Sequence, residues 1–198
     1  MRSFRSPSYR LAACFLASLC VAGLLSGAAA QNSNRSMGSS DRSSANSALS
    51  TADRKFLREA AEGGMAEVEL GQLAVHKASR DDVKQFGQRM VDDHSKANDK
   101  LKELAAAKGI TLPQASNAKQ NATKERLSKL SGGQFDRAYI ADMVQDHKED
   151  VAAFKTESAS GRDADVKNFA SETLPTLQDH LKNAENVAPK ASQAGGGI

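Results

Sequence analysis

Residues 83–104 read VKQFGQRMVDDHSKANDKLKEL, and apolar side chains recur in this stretch every three or four positions. Because an α-helix turns once every 3.6 residues, this spacing places them on one face, opposite a face of charged residues. The pattern predicts an amphipathic helix packed against a core. Its stripe consists of Val83, Phe86, Met90, His94, Ala97, Leu101 and Leu104, so one histidine is expected to face the protein interior.

Three further segments show the same periodicity, in a chain rich in Ala, Leu, Lys and Glu, which favours helix. Polar capping pairs and helix-ending glycines indicate the boundaries. The predicted pairs are Ser50 with Asp53, Ser79 with Asp82, and Ser131 with Gln134. The predicted long helices cover residues 51–78, 80–108, 131–161 and 163–187, and a short helix capped by Asn117 covers residues 118–130.

The connections predict how these helices pack. The first and second long helices are separated by a very short join, as are the third and fourth, so each pair should form an antiparallel hairpin. One long connection, residues 110–131, joins the hairpins. We therefore predict an all-α fold, a ferritin-like four-helix bundle whose handedness stays open. Pro175 interrupts the last segment without shifting its stripe, which predicts one kinked helix.

The first thirty residues have the pattern of a cleaved secretory signal peptide. A basic start precedes an apolar run over residues 11–25, and small residues at 28–30 place the cleavage before Gln31. The alternatives are an uncleaved anchor, for which the run is short of the roughly 20 residues of a span, and a lipobox ending at Cys14. No apolar stretch precedes that cysteine, so the lipobox is disfavoured. The expected location is the periplasm.

Removal of residues 1–30 changes the inferred chemistry of the mature chain. Cys14 and Cys20 leave with the segment, so neither a disulfide nor thiol chemistry is expected. Three of the 27 basic residues leave too, and the remaining 24 balance 24 acidic ones. This balance indicates neither nucleic acid nor an anionic lipid surface as a partner. Residues 31–50, rich in Ser and Asn, predict a disordered tether, residues 51–189 the bundle domain, and residues 190–198 a flexible tail.

Each of the four stripes carries one ionisable residue near the middle of its helix. These residues are Glu67, His94, His147 and His180. The first two lie at similar distances from the first turn, and the other two fall within about one helical turn of the same level. One carboxylate and three imidazoles are therefore expected to converge at the waist of the bundle. The fourth histidine, His76, is expected at the surface, and Glu69 is an alternative carboxylate on a more polar face.

Several motifs across residues 56–180 carry a resemblance to a known family. They are AEVELG at 66–71, MVDDH at 90–94, FDRAY at 135–139, DH at 146–147, and LP at 174–175 followed by His180. The chain resembles the exported bacterial domain-of-unknown-function family 4142, whose members are predicted ferritin-like bundles. The resemblance covers nearly all of the mature domain. It implies the fold and the exported location, and it brings no established activity.

Three imidazoles and a carboxylate on core stripes need compensation, because burying them without partners costs several kcal/mol. One interpretation is a divalent transition-metal site for copper, iron, nickel or zinc, with the ligands Glu67, His94, His147 and His180. Met90 and Met143 lie four residues before two of these histidines and could add soft ligands that favour copper. The other interpretation is a polar network, in which aspartates of neighbouring helices, carbonyls or waters satisfy neutral imidazoles. Burial should then lower all three histidine pKa values.

A ferritin-type di-iron centre is disfavoured, because it needs a glutamate three residues before each ligand histidine. Val91, Val144 and Leu177 occupy those positions. The leading hypothesis is a non-catalytic exported binding protein that holds a metal ion for storage, buffering or stress protection. The alternative is a structural or interaction module of the cell envelope without metal, and a metal-dependent redox enzyme ranks third. No stable membrane span is expected after cleavage, a homo-oligomer stays open, and no protein partner is indicated.

Overall fold

A computed structural model of the chain describes residues 49–193, which form five α-helices and contain no β-strand. The helices are α1 (Thr51–Lys77), α2 (Asp81–Ala107), α3 (Ala118–Ser128), α4 (Gly132–Ser160) and α5 (Ala164–Gln193). The predicted all-α fold is confirmed. None of these helices is both long enough and apolar enough to cross a bilayer. The predicted signal peptide and residues 31–48 of the predicted tether lie outside the described residues.

The four long helices form a bundle of two hairpins. Helices α1 and α2 pack extensively against each other, as do α4 and α5, while α2 lies beside α5 and α1 beside α4. Asp53, near the start of α1, contacts the turn after α4, and Asp136, near the start of α4, contacts the turn after α1. Neighbouring helices therefore run antiparallel. The crossover containing α3 must run the length of the bundle, along the outside of α1 and α4, as in ferritin-like bundles.

Two buried aspartates hold the hairpin turns from the opposite hairpin. The carboxylate of Asp136 accepts hydrogen bonds from the backbone N–H groups of Ser79 at 3.0 Å and Arg80 at 3.1 Å, and from the Ser79 hydroxyl. The predicted capping pair of Ser79 and Asp82 is therefore wrong. Ser79 forms hydrogen bonds with Asp136, and Asp82 forms an ion pair with Arg80. Two backbone donors of the turn just before α2 are therefore satisfied from the opposite hairpin.

The second turn repeats this arrangement. The Asp53 carboxylate accepts hydrogen bonds from the backbone N–H groups of Arg162 at 3.1 Å and Asp163 at 3.2 Å. The N–H of Asp53 itself donates to Ser50 Oγ at 3.0 Å, which confirms the predicted cap of α1. Ser131 is the capping position of α4 as predicted, but its side chain makes no capping hydrogen bond.

Helix α5 passes through Pro175 without ending, as predicted, and continues beyond the predicted end at residue 187 to Gln193. Residues 190–193 of the predicted flexible tail are therefore helical, and residues 194–198 lie outside the described part. Two contacts explain the extension: Ala191 is buried, and Arg80 Nη1 donates to the carbonyl of Lys190 at 2.7 Å. The short helix α3 has the predicted cap at Asn117.

The core consists of two apolar clusters separated by a polar layer. One cluster includes Phe86, Met90, Phe135, Tyr139, Ile140 and Met143, and the other includes Phe56, Leu57, Leu101, Phe154, Phe169 and Leu177. On each long helix, one buried ionisable residue lies between the two clusters along the chain. The waist of the bundle is therefore a buried polar layer enclosed by apolar side chains above and below.

Candidate metal centre

The structure brings the four predicted residues together in this layer. Glu67 is 3% exposed, His94 is 5% exposed, and His147 and His180 are fully buried. Each histidine offers one ring nitrogen to a common group, and the three nitrogens lie within 4.8 Å of one another. The ring centroids are 5.2 to 5.8 Å apart in all three pairs. Four helices thus contribute to one compact site.

His147 is held from behind by two oxygens. Its Nδ1 lies 2.9 Å from the backbone carbonyl of Met143, one helical turn earlier, and 3.5 Å from Glu67 Oε1. The carbonyl accepts a hydrogen bond and the carboxylate oxygen can only attract a proton, so Nδ1 carries the proton. The lone pair of the neutral ring is therefore on Nε2, which faces the other histidines.

His180 is oriented by an aspartate of the neighbouring helix. Its Nε2 lies 3.0 Å from Asp93 Oδ2 and donates a hydrogen bond to it. The lone pair of the neutral ring is therefore on Nδ1. That atom lies 3.3 Å from Nε2 of His147. With both outer nitrogens protonated, two lone pairs face each other at this distance. Such a contact is repulsive unless a cation or an extra proton lies between them.

His94 completes the cluster on the side of α1. Its Nδ1 lies 2.9 Å from Glu67 Oε2, so the carboxylate favours a proton on this nitrogen. Its Nε2 is buried and has no hydrogen-bond partner among the described residues. Each of the three histidines therefore has one nitrogen facing an oxygen and one nitrogen left over as a donor of electrons.

The electrostatics distinguish the three imidazoles. Burial lowers the pKa of His147 and lowers that of His180 to about 4. Burial acts on His94 in the same sense, but the Glu67 carboxylate outweighs it and the pKa of His94 is raised. The expectation that all three values are lowered is therefore wrong for His94. Burial would raise the pKa of Glu67, yet the neighbouring imidazoles lower it to about 2, so it is ionised.

Comparison with known protein families identifies the family of this bundle. A family model described as Domain of unknown function (DUF4142) matches residues 38–187. The chain belongs to this family. Among curated proteins, none matches the chain significantly.

Two solved structures share the fold of this DUF4142 chain. A DUF305 fragment from Deinococcus radiodurans has a TM-score of 0.64 and 13% identity, covering 72% of this chain and 98% of its own. A DUF305 protein from Streptomyces coelicolor has a TM-score of 0.61 and 14% identity, covering 74% and 96%. At such low identity, these likenesses show the helical fold alone.

In this DUF4142 bundle, Glu67 contacts the histidines from behind. Its oxygens face Nδ1 of His94 and Nδ1 of His147, and the group of converging donor atoms contains histidine nitrogens only. The alternative carboxylate, Glu69, instead pairs with Lys124 of α3 at 2.8 Å. His76 is exposed as expected.

Sequence reasoning did not assign the residues that orient the cluster. Asp93 holds His180, and its position before a histidine in an Asp–His pair was the available signal. Asp146, the aspartate of another such pair, instead lines a cavity beside Glu67, together with Asp150. Burial and the charge of Glu67 raise the pKa of Asp146 to about 6 and raise that of Asp150 well above its usual range. A cluster of carboxylates thus adjoins the histidines.

Proposed function

We propose that this protein is a non-catalytic exported binding protein that holds one divalent transition-metal ion between His94, His147 and His180. One observation carries the proposal: Nε2 of His147 and Nδ1 of His180 lie 3.3 Å apart, and both opposite nitrogens face oxygen acceptors. A metal ion between the two lone pairs converts a repulsive contact into two coordinate bonds.

The 3.3 Å spacing of the His147 and His180 nitrogens suits such an ion. Metal–nitrogen bonds of roughly 2.0–2.1 Å with tetrahedral angles separate two ligand nitrogens by about 3.3–3.4 Å. Carboxylate or carbonyl partners on the outer nitrogen are also the usual support of metal-binding histidines. Neutral imidazoles suit copper, nickel, zinc and iron, and the donor set does not select one of them. Met90 and Met143 belong to the apolar cluster, so their thioethers do not strengthen the case for copper.

The absence of catalysis is part of this proposal. His147 and His180 are fully buried, so an organic substrate has no access to a metal ion held there without displacement of core side chains. Storage or buffering of the ion in the periplasm, or protection of the envelope under metal stress, is the role that such a closed site supports. The proposed export rests on the signal-like pattern of residues 1–30.

The second candidate is an envelope module with a metal-free polar network. The Asp93–His180 hydrogen bond favours it, because that contact also satisfies a buried imidazole without metal. A metal-free cluster would need an extra proton between His147 and His180. Burial lowers the pKa of both rings, which disfavours that proton near neutral pH.

Calorimetric titration of the chain starting at Gln31 with copper(II), nickel(II) and zinc(II) tests the proposal. We expect the Ala variants of His94, His147 and His180 each to weaken binding at least about 100-fold, because each removes one of three nitrogens. The exposed His76→Ala variant is the matched control and should bind as wild type does. Circular dichroism checks that each variant folds, and elemental analysis of freshly purified wild type gives an independent reading. Wild-type binding no tighter than that of His147→Ala would favour the polar network instead.

A further inference from the structure

A cavity of about 340 Å³ lies between α1, α3 and α4, beside the histidine cluster. Its outer rim carries the exposed side chains of Glu59, Glu149 and Lys119, and the inner part is lined by Glu67, Asp146 and Asp150, with Phe56 and Phe154 as apolar walls. Five carboxylates and one lysine among its lining residues make the cavity acidic. We refer to it as the acidic cavity.

A second, much smaller cavity of about 20 Å³ adjoins the first. It is lined by His94, and it shares Gly63, Glu67, Asp150 and Phe154 with the acidic cavity. A volume of this size is sufficient for one water molecule or one small ion. The two cavities therefore form a path from the rim to the ring of His94. The path passes the carboxyl groups of Glu67 and Asp150.

Glu67 lines both cavities, and its carboxylate oxygens have unused capacity to accept hydrogen bonds. Its side chain is 4% exposed, and both oxygens lack a hydrogen bond of regular geometry within the described residues. Its closest contact is Nδ1 of His94 at 2.9 Å. A buried, ionised carboxylate with unused acceptor capacity at the floor of an acidic cavity is suited to hold a cation.

We propose that a metal ion reaches the histidines through the acidic cavity, passing between Glu67 and Asp150 into the small cavity beside His94. This inference rests on the proposed metal-binding function. Clustered carboxylates raise the local concentration of cations and speed their association, an effect that salt screens. Oxygen ligands of this kind bind a transition ion less firmly than imidazoles do, so the ion can move on to the nitrogens.

Gly63 allows the passage to be narrowed without touching a proposed ligand. A β-carbon at this position would have Gln120 Nε2 at 3.8 Å as its closest neighbour, which is ordinary contact. At the adjacent Gly64, a β-carbon would lie 2.1 Å from Asn98 Oδ1, so that position is unsuitable. Gly63→Leu should therefore obstruct the passage where the two cavities meet. Gly63→Ala is the matched small substitution.

The experiment uses cobalt(II), whose absorption spectrum reports its ligands, with stopped-flow mixing of the folded chain. For Gly63→Leu we expect loading and chelator-driven release both to slow by roughly ten-fold or more, with the dissociation constant nearly unchanged. A route affects entry and exit equally, whereas a ligand affects mainly release. Gly63→Ala should load at close to the wild-type rate, and the final spectrum should be the same in all three proteins.

Asp150→Asn gives a second, independent measurement. We expect slower loading, because the Asp150 carboxyl, whose pKa is raised, can release its proton to an approaching cation, whereas the amide cannot provide a negative charge. Glu103→Gln, an exposed change on α2 away from both cavities, is the charge-matched control and should behave as wild type does. An altered cobalt spectrum in Asp150→Asn would make Asp150 a ligand and would contradict the route.

The two proposals fail in different ways. If wild type binds no cobalt(II) with a histidine-type spectrum, the proposed function fails and the route fails with it. If wild type binds and Gly63→Leu loads and releases at the wild-type rates, the route is wrong while the metal site stands.

Discussion

Three histidines of the same kind have different properties in this protein because their partners differ. The Glu67 carboxylate outweighs burial at His94 and raises its pKa, whereas burial and the two neighbouring imidazoles outweigh the Asp93 hydrogen bond at His180 and lower its pKa to about 4. Burial alone acts in one direction on all three rings. The balance between burial, the carboxylates and the neighbouring imidazoles therefore decides which ring is the more basic one.

Asp93 is the residue whose removal best tests the orientation of the cluster. We expect Asp93→Asn to weaken metal binding by roughly 10–100-fold, because the amide no longer accepts a charge-assisted hydrogen bond from Nε2 of His180. The exposed Asp92→Asn, one position earlier, removes the same charge away from the site and should leave affinity unchanged. Titration calorimetry on both variants measures the difference. Equal affinities for Asp92→Asn and Asp93→Asn would show that His180 needs no such support.

At the scale of the helices, the α1–α2 hairpin depends on a close approach at two glycines. A β-carbon on Gly71 would lie 2.6 Å from the carbonyl oxygen of Gly87. A β-carbon on Gly87 would lie 2.7 Å from the β-carbon of Ala74. Since a carbonyl oxygen and a β-carbon are both fixed by the backbone of packed helices, neither can move cheaply. The sequence places these glycines inside predicted helices, but only the helix crossing explains why they are there.

Gly87→Ala should accordingly destabilise the bundle, by about 1–3 kcal/mol, because the helices must separate locally. Gly63→Ala makes the same chemical change at a site with space, and it should stabilise the helix by about 0.5–1 kcal/mol. Urea denaturation of the two variants gives both free energies of unfolding. A Gly87→Ala variant as stable as Gly63→Ala would mean that the crossing adjusts without cost.

At the scale of the whole molecule, one end of the bundle should make stability depend on pH. Glu157 is 7% exposed where the start of α1 meets the end of α4. Burial and the carboxylate of Asp53 raise the pKa of Glu157 to about 7, and Lys167 offsets this only in part. The folded state thus binds this proton more tightly than the unfolded state. Its stabilising contribution is full below about pH 4.5 and is lost as pH rises through 7.

Glu157→Gln should remove this dependence, because the amide stays neutral. We expect the variant to gain stability relative to wild type between pH 5 and 8, by on the order of 1–3 kcal/mol at the upper end. Both proteins keep the same histidines, so the difference in free energy of unfolding isolates the one carboxyl. Glu103→Gln serves as the exposed control and should follow the wild-type curve. A difference between Glu157→Gln and wild type that stays constant with pH would rule out this titration.

The helices, their stripes and their connectivity could be predicted from the sequence, because each depends on local spacing and on the length of the joins. The shared depth of Glu67, His94, His147 and His180 followed from counting residues away from two short turns. Helical geometry is uniform enough that such counting survives folding. Family membership and the helical fold agree with this level of prediction.

Only the tertiary structure decided which atoms of those residues meet. Asp136 caps a turn of the other hairpin, Asp93 binds His180 of a different helix, and Glu67 supports the rings from behind. These pairings depend on how each helix is rotated and shifted against its neighbours, and the period of a stripe leaves that open within tens of degrees. Hydrogen bonds are formed or lost over a few tenths of an ångström. The sequence therefore determines where the site lies along the helices, and the packing of the helices determines which atoms meet there.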